Sequence, residues 1–114
     1  MLKGEGRGNL RIYELKEKIK FVREVGEAYC KRNDDVVKID YEVFANKKYE
    51  GDIREYLRVD FSSGDYSIRN CNGNSLSAIL YEISKLVEGG YYDENEYYEK
   101  MKEDGKYGYL IMSV

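Results

Sequence analysis

The side chains able to do chemistry in this sequence are carboxylates, tyrosines and two isolated thiols; there is no histidine among its 114 residues. That absence removes the commonest general base, the commonest transition-metal ligand and the side chain that titrates closest to neutrality. Histidine-based triads and histidine-ligated zinc are therefore excluded. Cys30 and Cys71 are far apart in sequence and form no C-x-x-C pair, so neither a zinc knuckle nor a redox dithiol can be built. They read as reduced, partly buried thiols. Acid pairs such as Asp34-Asp35 and Asp93-Glu94 can do acid–base or Mg²⁺ chemistry when burial separates their pKa values. Here they fall in turns and helix starts, where capping and the helix dipole account for them. The run Gly4-Glu5-Gly6-Arg7-Gly8 precedes no strand, and neither a phosphate-loop motif nor a nucleophile elbow occurs. The expectation is a chain with no catalytic residue, no metal ligand and no cofactor.

What stands out instead is the stretch from Gly89 to Met101, in which paired tyrosines are interleaved with acids. Tyrosines supply large, rigid, amphipathic contact area, and clustered carboxylates accept hydrogen bonds from arginines or stand in for phosphates. Such a composition suits a basic protein groove, although an acidic, capped helix packing its tyrosines inward would use the same residues. Charge is distributed unevenly. Residues 1–32 hold nine Lys/Arg against five Asp/Glu, residues 33–70 six against nine, and residues 71–114 four against eight, for a net charge of −3. The front is basic and the rear acidic, which can bring partners of opposite sign to different faces.

These residues need elements to position them. Composition, with 42% apolar residues, 36% charged residues and thirteen tyrosines, is that of a folded chain of one domain. Residues 1–8 read as a flexible, glycine-rich tail and residues 9–114 as a single α+β domain. Asn9 can cap a helix over about 10–30, whose stripe of Ile12, Leu15, Ile19, Val22 and Tyr29, edged by Val25, should face the core. Gly26 marks either a fraying end or a close contact. The period then changes to two. Val37, Ile39, Tyr41 and Val43 alternate with Lys38, Asp40 and Glu42 in a strand over 36–45. Ile53, Leu57, Val59 and Phe61 alternate with Arg54, Tyr56, Arg58 and Asp60 in a second strand over 53–61. The turn Ser62-Ser63-Gly64-Asp65 joins it to a third strand over 65–70. Leu76, Ile79, Leu80, Ile83, Leu86 and Val87 define a helix over 75–88, stopped by Gly89-Gly90. Asp93 followed by Glu96 starts a short third helix, and residues 107–114 supply β-formers for a possible fourth strand at a sheet edge.

The predicted fold is a two-layer α+β domain: an antiparallel three-stranded meander, with room for a fourth strand, packed by two to three helices. The sheet face carrying Lys38, Asp40, Glu42, Arg54, Tyr56 and Arg58 should stay wet. The order helix, three strands, helix resembles the double-stranded-RNA-binding fold, and that resemblance implies contacts to phosphates. Lys16, Lys20 and Arg23 on the first helix are the residues for such a role. However, the start of the following helix offers Asn74, Ser75 and Ser77 in place of a basic cluster, and the sequence pI of about 5.1 opposes a polyanion. A regulatory domain without enzymatic activity is a further reading. The longest apolar run, Tyr109-Leu110-Ile111-Met112, is far shorter than the ~18 residues of a membrane span. The N-terminus also lacks an apolar export signal, so a cytoplasmic location is expected.

Tyr66-Ser67-Ile68, the helix over 75–88 and the stretch Asp93-Glu94-Asn95-Glu96-Tyr97-Tyr98-Glu99-Lys100-Met101, in this order of elements, resemble the small phage-encoded type II-A anti-CRISPR proteins. The resemblance covers roughly a third of the chain. It implies a DNA mimic that occupies the site where an RNA-guided nuclease reads its short PAM duplex with arginines. It also implies a host defence protein as partner, a bacterial cytoplasm as location, and contacts from the hairpin and from the acids opening the last helix. Carried onto this sequence, those contacts are Ser63, Gly64 and Asp65 in the hairpin and Tyr91, Asp93 and Glu94 at the helix start, with Glu96 in the same turn. This chain departs from that family in having one acid in its hairpin, a modest net charge and the additional segment 107–114.

Overall fold

A computed structural model describes residues 2–89 and 94–110, with side chains from Arg11 onward. Helix α1 (Leu2–Arg32) leads into strands β1 (Val36–Asn46), β2 (Ile53–Phe61) and β3 (Tyr66–Asn70). Helices α2 (Leu76–Val87) and α3 (Asn95–Glu103) and strand β4 (Tyr107–Tyr109) follow. The strands form one antiparallel sheet in the order β3-β2-β1-β4. This is the α+β arrangement expected from the sequence, and the fourth strand is present at the free side of β1 over residues 107–109. Residues 111–114 lie outside the described residues.

α1 departs from expectation at its start. It begins at Leu2, so residues 2–8 belong to the helix rather than to a tail, and Asn9 lies within it instead of capping it. Extending a nucleated helix adds one hydrogen bond per residue without a second nucleation cost, and no cap is required for that. Leu15, Ile19 and Val22 are buried, and Val25 and Tyr29 pack half-buried beside them. Ile12, expected in the same stripe, is 44% exposed. A helix of 31 residues is roughly 46 Å long, against roughly 36 Å for the eleven residues of β1 on which it lies. Gly26 is a close contact. A Cβ there would meet the Ile39 Cβ at 3.0 Å, so glycine lets α1 settle onto β1.

β1 and β2 pair through nine positions, with a register shift between Val36 and Lys38. The extra residue reverses the faces ahead of it: Val36 is buried, whereas Val37, expected inward, is 62% exposed. Beyond the bulge Ile39, Tyr41 and Val43 face α1 and α2 as the period-two pattern requires, opposite Val59 and Leu57 of β2. The hairpin between β2 and β3 turns at Gly64, whose φ of +94° is accessible to glycine at no steric cost. In α2, Ser75 caps the first turn by accepting from the Ala78 N–H, and Gly89 at φ +88° follows its end.

Ile79, Ile83 and Leu86 of α2 are buried, but Leu80, expected beside them, is 41% exposed. The inward line of α2 runs through 79, 83 and 86, leaving Leu76 and Leu80 on its flank. Ile83→Ala is accordingly expected to destabilise the fold by about 2–5 kcal/mol. Leu80→Ala should cost under about 1.5 kcal/mol, because much of its side chain already meets water. Denaturant melts of the two variants test the assignment, and equal losses would contradict it.

α1 and α2 share one sheet face; α3 lies on the other. Phe44, Tyr56, Ile68, Tyr98 and Met101 form a second core there, so the part of that face carrying Tyr56 is dry rather than wet. The rings meet edge-on, Tyr98 lying 5.4 Å from Tyr56 and 5.8 Å from Phe44, with Tyr109 of β4 5.2 Å from Phe44. Amphipathic spacing in α3 specifies which of its own residues turn inward but not which sheet face receives them. The Tyr98 hydroxyl donates to Glu42. Burial, reinforced by the Asp40 carboxylate, raises the Glu42 carboxyl above its ordinary value. Ionised Glu42 thus opposes folding at neutral pH, and that opposition fades as pH falls through the raised value toward the ordinary one. Glu42→Gln keeps an oxygen for Tyr98. It should be more stable than the parent at neutral pH, with the gap closing on acidification. Denaturation at a series of pH values measures this, and a gap that widened toward acid would contradict it.

Candidate interaction site

Three backbone features bring the hairpin, the start of α3 and the loop before β1 into one place. The hairpin is closed by Phe61 N–H to Asp65 C=O at 2.9 Å and Gly64 N–H to Phe61 C=O at 3.0 Å. The Ser62 N–H donates to the Asp35 carbonyl at 2.8 Å, tying the α1–β1 loop to the turn. The Glu94 N–H reaches the Ile68 carbonyl of β3 at 3.4 Å, and the Tyr66 hydroxyl donates to Glu99 of α3 at 3.0 Å. These contacts set the first turn of α3 beside the hairpin strand.

Between them lies an open cleft of about 470 Å³ whose lining includes Asp35, Ser63, Asp65, Tyr66 and Asn95. Two carboxylates stand on it, and no lysine or arginine lines it among the described residues. Ser63 donates its hydroxyl to Asp65 Oδ2 at 3.2 Å, which orients that carboxylate at the exposed tip. Arg58 holds Asp60 through both of its nitrogen arms at about 3 Å and stacks over the Tyr66 ring at 4.0 Å.

Of the residues expected to bind a partner, Ser63 and Asp65 line this cleft and Gly64 forms its turn. Glu94, half-buried, does not itself line the cleft; it immediately precedes the cleft residue Asn95 and occupies the N-cap position of α3 without a side-chain cap bond. Glu96 is exposed one residue further on and does not line the cleft. Tyr91 and Asp93 lie outside the described residues, and with them the Asp93–Glu96 capping box. Sequence reasoning missed Asp35, Tyr66 and Asn95 as members of the site. Asp35 was visible as an acid in a turn, but its approach to the hairpin is a tertiary contact with no local signal.

The alternative surface, the front of α1, is less basic than its composition. Lys20 and Arg23 are exposed together with Glu17, Glu24 and Glu27. Arg11 and Lys18 point to an internal carboxylate: Glu55, fully buried in β2, pairs with both and accepts from the Tyr41 hydroxyl at 2.7 Å. Burial, with Glu55 beside it, pushes the Tyr41 hydroxyl far above its ordinary pKa, so it remains a donor. Cys30 and Cys71 are free thiols, the second buried, and burial pushes its thiol up to about 12.

Comparison of the chain with protein-family models, with curated proteins and with solved structures finds no match. Among the described residues no helix is long and apolar enough to cross a membrane.

Proposed function

We propose that the chain is a binding protein without enzymatic activity that presents the cleft between the β2–β3 hairpin and α3 to an arginine-lined groove. The observation that supports this reading is the convergence of Asp35, Asp65 and the start of α3 on one cleft lined, among the described residues, by no cation. Fixed carboxylates flanked by hydroxyls and a tyrosine meet guanidinium groups through charge-assisted hydrogen bonds, and the pattern can substitute for phosphates. The finer reading is a phage or mobile-element inhibitor acting in the bacterial cytoplasm. It imitates nucleic acid toward an RNA-guided nuclease and competes with the PAM duplex for the arginines that read it.

Inhibition of DNA cleavage by a purified type II-A nuclease tests this, with and without excess PAM-containing duplex. The parent should inhibit, and the duplex should relieve the inhibition. The combined variant Asp35→Asn, Asp65→Asn should weaken inhibition by roughly 30-fold or more, corresponding to loss of at least ~2 kcal/mol from desolvated charge pairs. A variant neutralising Glu50 and Glu103, exposed acids outside the cleft lining, serves as the control. Asp52 is unsuitable for that purpose because it holds Arg54, Asn46 and Tyr107. If the cleft variant melted like the parent and inhibited equally well, the cleft would not be the contact surface.

A further inference from the structure

The end of β3 is closed by a side chain rather than by backbone pairing. The last ladder pair joins Asn70 to Tyr56, and the Cys71 N–H adds a bond to the Glu55 carbonyl at 2.8 Å. Beyond it the Asn72 carboxamide takes over: its Oδ1 accepts from the Glu55 N–H at 2.8 Å and its Nδ2 donates to the Ile53 carbonyl at 2.6 Å. Both ends of the amide are thereby held against β2. The chain then reverses through a turn closed by the Asn74 N–H to the Cys71 carbonyl at 3.0 Å. Gly73 sits at its third position with φ +75° and Asn72 has no positive φ, which is the type II pattern. Asn72 is also the one asparagine in the sequence that glycine follows. Asparagine before glycine is the arrangement in which the backbone most readily attacks the side chain, because glycine puts no Cβ beside the attacking nitrogen and leaves the chain free to take the conformations the attack requires.

We propose that Asn72-Gly73 is a site of spontaneous deamidation that the folded chain keeps closed with this clamp. In the reaction the Gly73 backbone nitrogen gives up its proton and bonds to the Asn72 carboxamide carbon, and ammonia leaves. Water then opens the resulting succinimide ring at one carbonyl or the other, leaving aspartate or isoaspartate at position 72. Water enters, ammonia departs, and nothing is oxidised or reduced. Access is not the brake, since Asn72 and Gly73 are both exposed and a Cβ built on Gly73 would meet no atom within 4 Å. The brake is orientation. Attack requires the carboxamide to turn onto the Gly73 nitrogen, and both of its polar atoms are bonded to β2, so both bonds must break first. Either product releases the clamp. Ionised aspartate has no hydrogen to offer the Ile53 carbonyl and sets a carboxylate beside that oxygen, while isoaspartate lengthens the main chain by one carbon inside the turn. The clamp holds the backbone of Glu55, whose side chain gathers Lys18, Arg11 and the Tyr41 hydroxyl, so modification loosens the sheet where the buried charges lie. The inference is independent of the proposed partner cleft, which lies at the hairpin end of β3.

Peptide mapping with isoaspartate detection, during incubation of the full chain at mildly alkaline pH with and without denaturant, provides the test. In denaturant Asn72 should convert ahead of every other asparagine. In the folded protein its conversion should be at least about tenfold slower, because it waits for local opening. The converted protein, separated from the parent, should exchange its Cys71 and Asn74 amides at least about tenfold faster, while amides of the β1–β2 ladder remain protected and certify the fold. Equal conversion of Asn72 with and without denaturant would overturn the proposal, as would earlier conversion of another asparagine in the denatured chain. So would Cys71 and Asn74 amides as well protected in the converted protein as in the parent, because the carboxamide would then not be the clamp.

Discussion

Glu55→Gln is expected to destabilise the protein by about 3–5 kcal/mol, the range for breaking a buried ion pair by removing one partner. The carboxylate has no exposed surface. It accepts from Lys18 Nζ at 3.1 Å and the Tyr41 hydroxyl at 2.7 Å, and its second oxygen is held by Arg11. Its backbone is equally engaged, with its N–H donating to Asn72 Oδ1 at 2.8 Å and its carbonyl accepting from Cys71 N–H at 2.8 Å. Glutamine keeps the shape and one acceptor but leaves the Lys18 ammonium, 7% exposed, without a counter-ion in a low-dielectric site. The Arg11 arm is about a third exposed and is screened, so Lys18 dominates the loss. A double-mutant cycle with Lys18→Met separates this from general damage. The double variant should lose clearly less than the two single losses combined, because removing both charges abolishes the stranded one. A Glu55→Gln protein within about 1 kcal/mol of the parent would show that the cluster is hydrated or rearranged.

The same cluster shows where the sequence was legible and where it was not. In β2 the inward row is Ile53, Glu55, Leu57 and Val59, and the interruption at Glu55 can be read from the alternation alone. Likewise Lys18 falls between Leu15 and Val22 on the inward side of α1. Each is an acid or a base where the period demands an apolar residue, and each signals a buried charge that needs a partner. What could not be read was that the two oddities meet, since they are 37 residues apart and only the packing of α1 on the sheet joins them. The positions of the strands and of α2 followed from period and turn chemistry, which are local. The inward direction of Val37 failed for a reason that is also local but weak: a bulge inserts one residue and reverses the faces, and a run of two valines fits either phase. The face chosen by α3 had no local signature at all. The cleft was legible as two acid-bearing segments; that they border one space depends on where α3 comes to rest.

The anchoring of α3 rests chiefly on one ring. Tyr98→Ala is expected to destabilise the protein by about 3–5 kcal/mol, as for other aromatic truncations in cores. Tyr98 is fully buried, contacts Phe44 and Tyr56 edge-on, and places its hydroxyl on Glu42, while Lys102 lies 4.8 Å from its ring centroid. Of α3's other residues only Met101 is also buried; the helix's remaining ties to the sheet are polar and less buried, the Tyr66 hydroxyl donating to Glu99 and Arg54 to the Tyr97 hydroxyl. Tyr98→Phe separates ring from hydroxyl. It retains the packing and should cost about 1.5–3 kcal/mol, the range for a hydrogen bond to a charged group. Because the first turn of α3 borders the proposed partner cleft, Tyr98→Ala should also reduce any binding there at temperatures where the sheet remains folded, although Tyr98 itself faces the core. Amide exchange separates the two effects: amides of α3 should open first, while those of the β1–β2 ladder retain their protection. If Tyr98→Ala left both the melting transition and the α3 amides unchanged, α3 would be held by contacts other than these rings, and the geometry of the cleft would not depend on them.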